Sequence, residues 1–318
     1  MLKNFIITII LVSFIIVLAT ANRVFAPNGI LPEYTLKVPE FFNKNPIKEV
    51  KLLFVGDIMM DRNIRTVAEK KGYDFYFECA KPTFEKYDYV IANLEGPVTN
   101  FQSVSRVKTV EDPNLYRFTM SEKVLSAVKN SGIDVVSIVN NHIYDYGKEG
   151  IKQTGENILA SDLSYFGDPI NLDFKTLTLQ KDGINFHLVP FNEFSSTSNE
   201  TISLINNFAS SSDPIIVFTH WGDEYTPASD RVKKLARNFV DLGADIIIGT
   251  HPHVLQEVEI YKDKPIFYSL GNFIFDQYWM ESVKNGGAAE IVLKNNGEIT
   301  SRLLPVSLDL QLRPCISE

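Results

Sequence analysis

Side chains that can bind metal ions recur where apolar, strand-like segments of this sequence end. They are oxygen and imidazole donors, namely Asp57, Glu95, Asn141, His220, His251 and His253. Such a mixture is typical of sites for Zn, Mn or Fe, because imidazole suits these metals and a carboxylate can be shared between two ions. The sequence therefore predicts a site for one or two divalent metal ions.

The spacing of the histidines strengthens this prediction. His251 and His253 flank Pro252, whose ring stiffens the turn so that two imidazoles can point at neighbouring ions. Each donor taken alone has an ordinary explanation, since Asp57 could be a turn residue and His220, beside Trp221, a core histidine. Those explanations do not account for four of the five histidines following predicted strands. The fifth, His187, lies inside a strand-like run and is assigned to structure.

A sheet is needed to hold these donors, and alternating patterns from residue 50 onwards predict one. Strands are predicted over residues 50–55, 88–92, 134–139, 214–219 and 244–248, and helices over 121–130 and 231–242. Active sites of α/β sheets form at the carboxyl ends of strands, where the donors lie. Hairpin turns at Lys181-Asp182-Gly183 and Asn295-Asn296-Gly297 predict a second, mixed sheet packed against the first. We expect an α/β domain with two central sheets and outer helices.

Six short motifs carry a more specific signal, because they occur in a set order. They are Gly56-Asp57-Ile58-Met59-Met60-Asp61-Arg62, Asn93-Leu94-Glu95, Asn140-Asn141-His142, His220-Trp221-Gly222, Gly249-Thr250-His251-Pro252-His253-Val254 and Ser269-Leu270-Gly271-Asn272-Phe273. In this order they resemble the CapA family, which is associated with capsule and poly-γ-glutamate synthesis and is related to the calcineurin-like metallophosphoesterases. The resemblance runs from about Leu53 to Asp276 and implies a two-sheet sandwich with α/β/β/α layers.

The resemblance also implies a role for each donor. Asp57 matches the first metal-binding Asp, Glu95 the carboxylate that bridges two metals, and Asn141 the Asn ligand. His220 and His251 would complete one site, and His253 would join Asp57 in the other. His142 matches the histidine that meets the substrate, which makes it the candidate catalytic residue. Arg62 and Asn272, which lie in these motifs, are candidate substrate contacts.

One position departs from the wider superfamily. The metal-binding Asp is there normally followed two residues later by a ligand His, and this chain has Met59 instead. A thioether is a poor donor for hard divalent ions. We therefore expect the Asp57/His253 site to have fewer ligands and to hold its metal less tightly.

Two classes of function fit these features. In the first, the protein is a metal-dependent hydrolase of the metallophosphoesterase type that acts on a phosphoester or amide of an envelope polymer. In the second, the same fold binds an anionic polymer or capsule synthase and export proteins without catalysis. With 31 basic against 39 acidic residues and a net charge of −8, a nucleic-acid partner is not expected.

The N-terminus carries a targeting signal. Lys3 precedes an apolar run from Phe5 to Ala19, so residues 1–21 are predicted to be a membrane anchor or a signal peptide. The run is long for a signal-peptide core and slightly short for a spanning helix, and we favour an uncleaved, single-pass anchor with the domain outside the cytoplasm. Secretion after cleavage behind Ala19-Thr20-Ala21 is the alternative. Residues 22–49 read as a Pro-containing linker and residues 50–310 as the CapA-like domain.

The two cysteines, Cys79 and Cys315, stand far apart in the sequence. A disulfide would be permitted outside the cytoplasm, but two cysteines do not make a disulfide framework. The sequence favours one buried thiol and one thiol in the tail.

Overall fold

Strands and helices alternate along the computed structural model, which describes residues 46–105 and 112–317. The strands are β1 (Glu49–Ile58), β2 (Tyr89–Leu94), β3 (Val135–Ser137), β4 (Ser164–Phe166), β5 (Leu177–Lys181), β6 (Ile184–Asn192), β7 (Ile215–His220), β8 (Ile246–Thr250), β9 (Val258–Tyr261), β10 (Lys264–Phe267), β11 (Asn272–Ile274), β12 (Asn285–Lys294), β13 (Ile299–Leu308) and β14 (Pro314–Ile316). The α-helices are α1 (Arg62–Lys71), α2 (Lys81–Phe84), α3 (Lys123–Ser131), α4 (Gly147–Ala160), α5 (Ser198–Phe208) and α6 (Asp230–Asp241). Every strand and helix predicted from the sequence is present close to its expected bounds.

The described residues form two mixed sheets. The first has the strand order β14-β13-β12-β1-β2-β3-β4, with β11 pairing with β1, and the second has the order β5-β6-β7-β8-β10-β9. Within the first sheet β1, β2, β3 and β4 run parallel, as do β6, β7, β8 and β10 within the second. Parallel strands place their carboxyl ends at one edge of a sheet, which is the edge where the predicted donors follow them.

Three groups of buried apolar side chains define the layers. Phe54 and Ile91 of the first sheet pack with Phe186, Phe218 and other residues of the second, so one core lies between the sheets. A second core joins the outer face of the first sheet to α1, α3 and α4, and a third joins the outer face of the second sheet to α5 and α6. The predicted α/β sandwich with α/β/β/α layers is thereby confirmed.

The C-terminal hairpin lies in a different place from the one expected. Lys181-Asp182-Gly183 joins β5 to β6 in the second sheet, as predicted. Asn295-Asn296-Gly297 instead joins β12 to β13 in the first sheet, because β12 pairs antiparallel with β1 from Glu49 to Val55. The hairpin itself is a local feature, but the sheet that it joins is decided by long-range pairing.

The predicted membrane location needs correction. Among the described residues no helix is long and apolar enough to cross a membrane. The longest of these helices, Gly147–Ala160, has 14 residues, whereas a span needs about 20 apolar residues. The prediction of a single-pass membrane protein with an extracytoplasmic domain is wrong on this finding. The segment 1–21 on which it was based, and residues 22–45 of the predicted linker, lie outside the described residues.

The prediction of two free thiols is also wrong, because Cys79 and Cys315 form a disulfide. Their Cα atoms are 5.1 Å apart although 236 residues separate them in the sequence. Cys315 lies in β14, and the neighbouring Arg313 places its guanidinium over Phe75 at 5.3 Å. The pairing depends on how β14 docks near the segment Tyr73–Phe77, which sequence spacing does not reveal.

We expect the Cys79→Ser/Cys315→Ser variant to lose about 2–4 kcal/mol of unfolding free energy, because the cross-link restricts the unfolded chain. Urea denaturation of the full chain at neutral pH measures this difference. Wild-type protein treated with a reductant is the control and should unfold at the same urea concentration as the double variant. Equal midpoints for the oxidised wild type and the double variant would show that the bond does not contribute to stability.

Candidate metal centre

A continuous chain of contacts joins all of the predicted metal-binding residues at the carboxyl ends of both sheets. It runs from Asn141 Oδ1 to His220 Nε2 (3.0 Å), from His220 Nε2 to His251 Nδ1 (3.1 Å), from the His251 amide to Asp57 Oδ2 (3.3 Å), from Asp57 Oδ2 to His253 Nδ1 (3.4 Å) and from His253 Nε2 to Glu95 Oε1 (3.6 Å). The structure therefore brings together residues from loops and strands that are distant in sequence. That they bind metal stays a prediction.

Asp57 is positioned by a close approach between β1 and the start of β11. A Cβ atom at Gly56 would lie 1.9 Å from the carbonyl oxygen of Gly271, so only glycine fits here. The Asp57 amide then donates to that same carbonyl at 3.0 Å. Asp57 is fully buried, and Asn93 of β2 donates to its Oδ1 at 2.7 Å.

Asp57, Glu95 and His253 form the first cluster, in which one ligand atom of each residue lies within 4.8 Å of the others. His253 Nδ1 lies 2.9 Å from Asn272 Oδ1, which can only accept, so this nitrogen carries the proton. The Nε2 lone pair of neutral His253 is then left on the side of Glu95. A histidine held in this way by its other nitrogen is the usual form of a metal ligand.

Glu95 is the strongest sign that this cluster needs a cation. It is fully buried, and its Oε1 accepts no hydrogen bond from the described residues. Burial first, and then the nearby charge of Asp57, raise the pKa of Glu95 well above its ordinary value. An uncompensated buried carboxylate is unfavourable unless a counter-ion or proton neutralises it. The residues of this cluster therefore fit a divalent metal ion.

His220, His251 and Asn141 form the second cluster. The Thr250 hydroxyl donates to the carbonyl of Thr219 at 2.8 Å. Its oxygen is therefore the acceptor for His220 Nδ1 at 2.9 Å, and this nitrogen carries the proton. His220 Nε2 then faces Asn141 Oδ1 and His251 Nδ1, and three atoms that can offer lone pairs converge. Burial and the neighbouring histidines lower the pKa of His220 well below its ordinary value and that of His251 to about 3. Both rings are thus held in the neutral form that binds metals.

The backbone between the two clusters is turned unusually. His251 and His253 have φ angles of 98° and 59°, in the left-handed region that non-glycine residues seldom adopt. Such conformations cost on the order of 1–3 kcal/mol each and persist only where the surroundings impose them. Here they turn the His251 imidazole towards His220 and the His253 imidazole towards Glu95, on either side of Pro252.

His142 lies at the rim and belongs to neither cluster. Its Nδ1 lies 3.0 Å from Asp145 Oδ2. The centroids of the His142 and Phe118 rings are 4.3 Å apart. Asp145 also accepts the Phe118 amide at 2.7 Å, which fixes its carboxylate. Asp145 therefore orients His142 so that Nε2 is the nitrogen left to meet a ligand. Its place three residues after His142 was a signal that the sequence analysis left without a role.

The two candidate substrate contacts differ in their surroundings. Arg62 pairs with Asp276 and stacks over the rings of Phe118 and Phe275, at 4.9 and 5.5 Å. Its side chain is mostly buried and is held in place by these contacts. Asn272 instead accepts from His253 Nδ1, so its observed contact orients a candidate metal ligand. Contact of either residue with a substrate stays a prediction.

Several residues of the site were not assigned by sequence reasoning. Asn93 donates to the carboxylates of Asp57 and Glu95, at 2.7 and 3.4 Å, and its position in the Asn-Leu-Glu motif could have indicated this. Phe194 places its ring 4.4 Å from that of His251 and is half exposed. No pattern around Phe194 distinguishes it, because it lies in the loop after β6.

Comparison with known proteins points to the same part of the chain. Residues 51–277 match the family described as bacterial capsule synthesis protein PGA_cap. The chain is 34% identical over 283 residues to the capsule biosynthesis protein CapA of Bacillus anthracis, covering 82% of this chain and 68% of that protein. It is also 34% identical over 274 residues to the PGA biosynthesis protein CapA of Bacillus subtilis strain 168, covering 80% and 70%.

A solved structure supports the fold alone. A hypothetical protein from Thermus thermophilus superposes with a TM-score of 0.51 at 16% sequence identity. The match covers 80% of this chain and 99% of that one. The resemblance drawn from the six motifs is confirmed by the family and sequence matches, and the candidate metal-binding groups are consistent with divalent metal ions.

Proposed function

The chain belongs to the bacterial capsule synthesis protein family PGA_cap, and from this premise we propose that it acts in the synthesis of an envelope polymer such as capsule or poly-γ-glutamate. The names of the two Bacillus relatives, which concern capsule and PGA biosynthesis, support this assignment. Anionic polymer and the synthase or export proteins that handle it are the partners that follow from it.

The buried donor set carries the proposal that this role depends on metal. Asp57, Glu95 and His253 would hold one ion, and Asn141, His220 and His251 a second, with Mn, Zn or Fe as the metals that suit these donors. When bound, such ions supply Lewis-acid activation of water and stabilise developing negative charge. The neutral histidines and the unpaired Glu95 oxygen are the features that support this assignment.

The chain's own residues support a hydrolase. His142, oriented by Asp145 through Nδ1, can give a proton to a leaving oxygen or nitrogen from Nε2. Arg62, held by Asp276, places a cation near this rim and would favour an anionic substrate. The substrate would be a phosphoester or an amide of the polymer.

A non-catalytic polymer-binding role is the alternative, and exposed aromatic side chains favour it. Trp279 is 60% exposed and lies 5.8 Å from Tyr225, whose ring is 6.1 Å from that of His253. Together with Phe194 they offer flat apolar faces beside the site, which could hold a polymer chain without cleaving it.

Deleting the gene from its source bacterium is expected to lower the amount of surface polymer, and the wild-type chain should restore it. Asp57→Ala should fail to restore it, because Asp57 contacts both His251 and His253. Lys152→Ala, a change on the exposed face of α4, is the matched control. Polymer would be measured on the cell surface, with immunoblots to verify equal protein. Normal polymer in the deletion strain would contradict the proposed function.

A further inference from the structure

We propose that Glu224 is a metal ligand, which supplies the donor that Met59 does not provide. The inference rests on the metal centre proposed above and extends it to a residue in the loop after β7. Neither the strand-end pattern nor the roles implied by the resemblance include this residue.

Met59 is unsuited to the task by chemistry and by its contacts. It is fully buried and packs with Phe118 and Phe275, and its Sδ accepts the Asp61 amide at 3.1 Å. The sulfur is a soft atom already engaged with the backbone. Asp57, Glu95 and His253 are then three donors, whereas Zn²⁺ usually takes four ligands and other divalent ions take as many or more.

Glu224 stands where a further donor is needed. A carboxylate oxygen of Glu224 and one ring nitrogen each of His251 and His253 all lie within 4.8 Å of one another. Ligand atoms held about 2.0–2.2 Å from one ion lie up to about 4.4 Å apart, so only a small shift separates this group from a binding geometry. His253 belongs to this group and also to the cluster with Asp57 and Glu95, which makes the two groups continuous.

A relay of side chains connects Tyr225, the neighbour of Glu224, to His253. Burial and then the charge of Glu224 raise the pKa of Tyr225, and Gln277 Nε2 donates to the Tyr225 hydroxyl at 3.1 Å. Asn272 Nδ2 donates to Gln277 Oε1 at 3.0 Å, and Asn272 Oδ1 accepts from His253 Nδ1. Metal ligands are commonly oriented by such outer contacts, and here the relay orients His253 and holds Tyr225 beside Glu224.

The backbone holds the loop in register with the histidines. The Tyr225 amide donates to the carbonyl of Pro252 at 2.9 Å, and Tyr225 itself has a φ of 62°. Glu224 is exposed whereas Asp57 and Glu95 are fully buried, so it closes the cluster from the solvent side. A ligand in this position can be reached by an incoming ion before the buried donors.

Titration of the metal-free, full-length chain with Mn²⁺, followed by calorimetry and by the electron paramagnetic resonance of bound Mn²⁺, tests the proposal. Glu224→Gln removes the charge at nearly constant shape and is expected to weaken binding at least ~10-fold, since loss of even an outer-shell partner lowers metal affinity by about 10–100-fold. Asp223→Asn removes the same charge from the adjacent exposed residue and should bind Mn²⁺ like wild type. Met59→Leu, which removes the sulfur, should also leave binding unchanged.

The outcomes separate this proposal from the one on which it rests. Wild-type affinity in Glu224→Gln, alongside lost binding in Glu95→Gln, would overturn the role of Glu224 and leave the metal centre in place. Loss of binding in Met59→Leu would overturn it too, by showing that the thioether is the donor. A wild-type chain that takes up no Mn²⁺ would overturn both. Circular dichroism of each metal-free variant verifies that an altered affinity does not come from unfolding.

Discussion

Replacing His142 by Ala is expected to slow hydrolysis by about 10²–10⁴-fold while leaving metal content unchanged, because a positioned general acid contributes that much to the rate. His142 contacts Asp145 and Phe118 and stands outside both donor clusters, so its loss should not reach the metal. The assay would use the Mn²⁺-loaded full chain with model phosphodiesters and poly-γ-glutamate fragments. Elemental analysis of the same samples gives the metal content.

Two variants sharpen this result. Asn141→Ala, one residue earlier, should weaken metal binding, because Asn141 Oδ1 faces His220 Nε2 at 3.0 Å. Asp145→Asn should keep the metal but lower turnover and change its pH profile, because the orienting charge beside His142 is lost. If His142→Ala turned over every substrate at the wild-type rate, its catalytic role would be wrong. A wild-type chain that binds metal and cleaves none of them would favour the polymer-binding alternative.

Glu95→Gln is expected to weaken Mn²⁺ binding by at least ~100-fold, because it removes a carboxylate from the centre of the site. Loss of an outer-shell partner alone lowers metal affinity by about 10–100-fold, and loss of a ligand should cost at least as much. The same change should stabilise the metal-free protein, since burial and the nearby charge of Asp57 disfavour the ionised carboxylate of Glu95 there. Metal affinity and urea denaturation with and without Mn²⁺ measure the two effects. Stability that fell equally in both conditions would indicate that Glu95 is a structural residue and not a metal ligand.

The pH dependence of the metal-free protein follows from the same residue. Because the pKa of Glu95 is raised on folding, the folded state binds this proton more tightly than the unfolded state does. Unfolding free energy should therefore fall as the pH rises above the ordinary Glu pKa of 4.5, until the raised pKa is passed. Glu95→Gln should lack this part of the pH dependence. A pH series of urea titrations on both proteins gives the comparison.

Local patterns account for what the sequence predicted well. Strands such as β1 and β7 are buried apolar runs followed by a polar group, and both properties are read from neighbouring residues. The two hairpin turns are similarly short and self-contained. The donors Asp57 and His220 could be chosen because strand ends of parallel sheets meet at one edge, whatever the order of the strands.

Contacts between distant segments could not be read in this way. Cys79 bonds to Cys315 across a sequence separation of 236 residues, and β12 pairs with β1 across a similar one. Both contacts form only when the two ends of a long segment come together. Glu224 was given no role because it follows β7 by four residues, in a loop that the hydrogen bond from the Tyr225 amide to the Pro252 carbonyl holds beside the histidines. Hydropathy and motif spacing carry no information about such loop positions.

The sequence by itself thus determined which residues could bind metal, the strands that carry them and the family to which the chain belongs. Only the tertiary structure decided how those residues face one another. The tautomer of His253 depends on Asn272, the orientation of His142 on Asp145, and the raised pKa of Glu95 on its burial next to Asp57. Each of these properties depends on the distance between side chains that sheet pairing and core packing bring together. Residue types along a chain do not specify such distances.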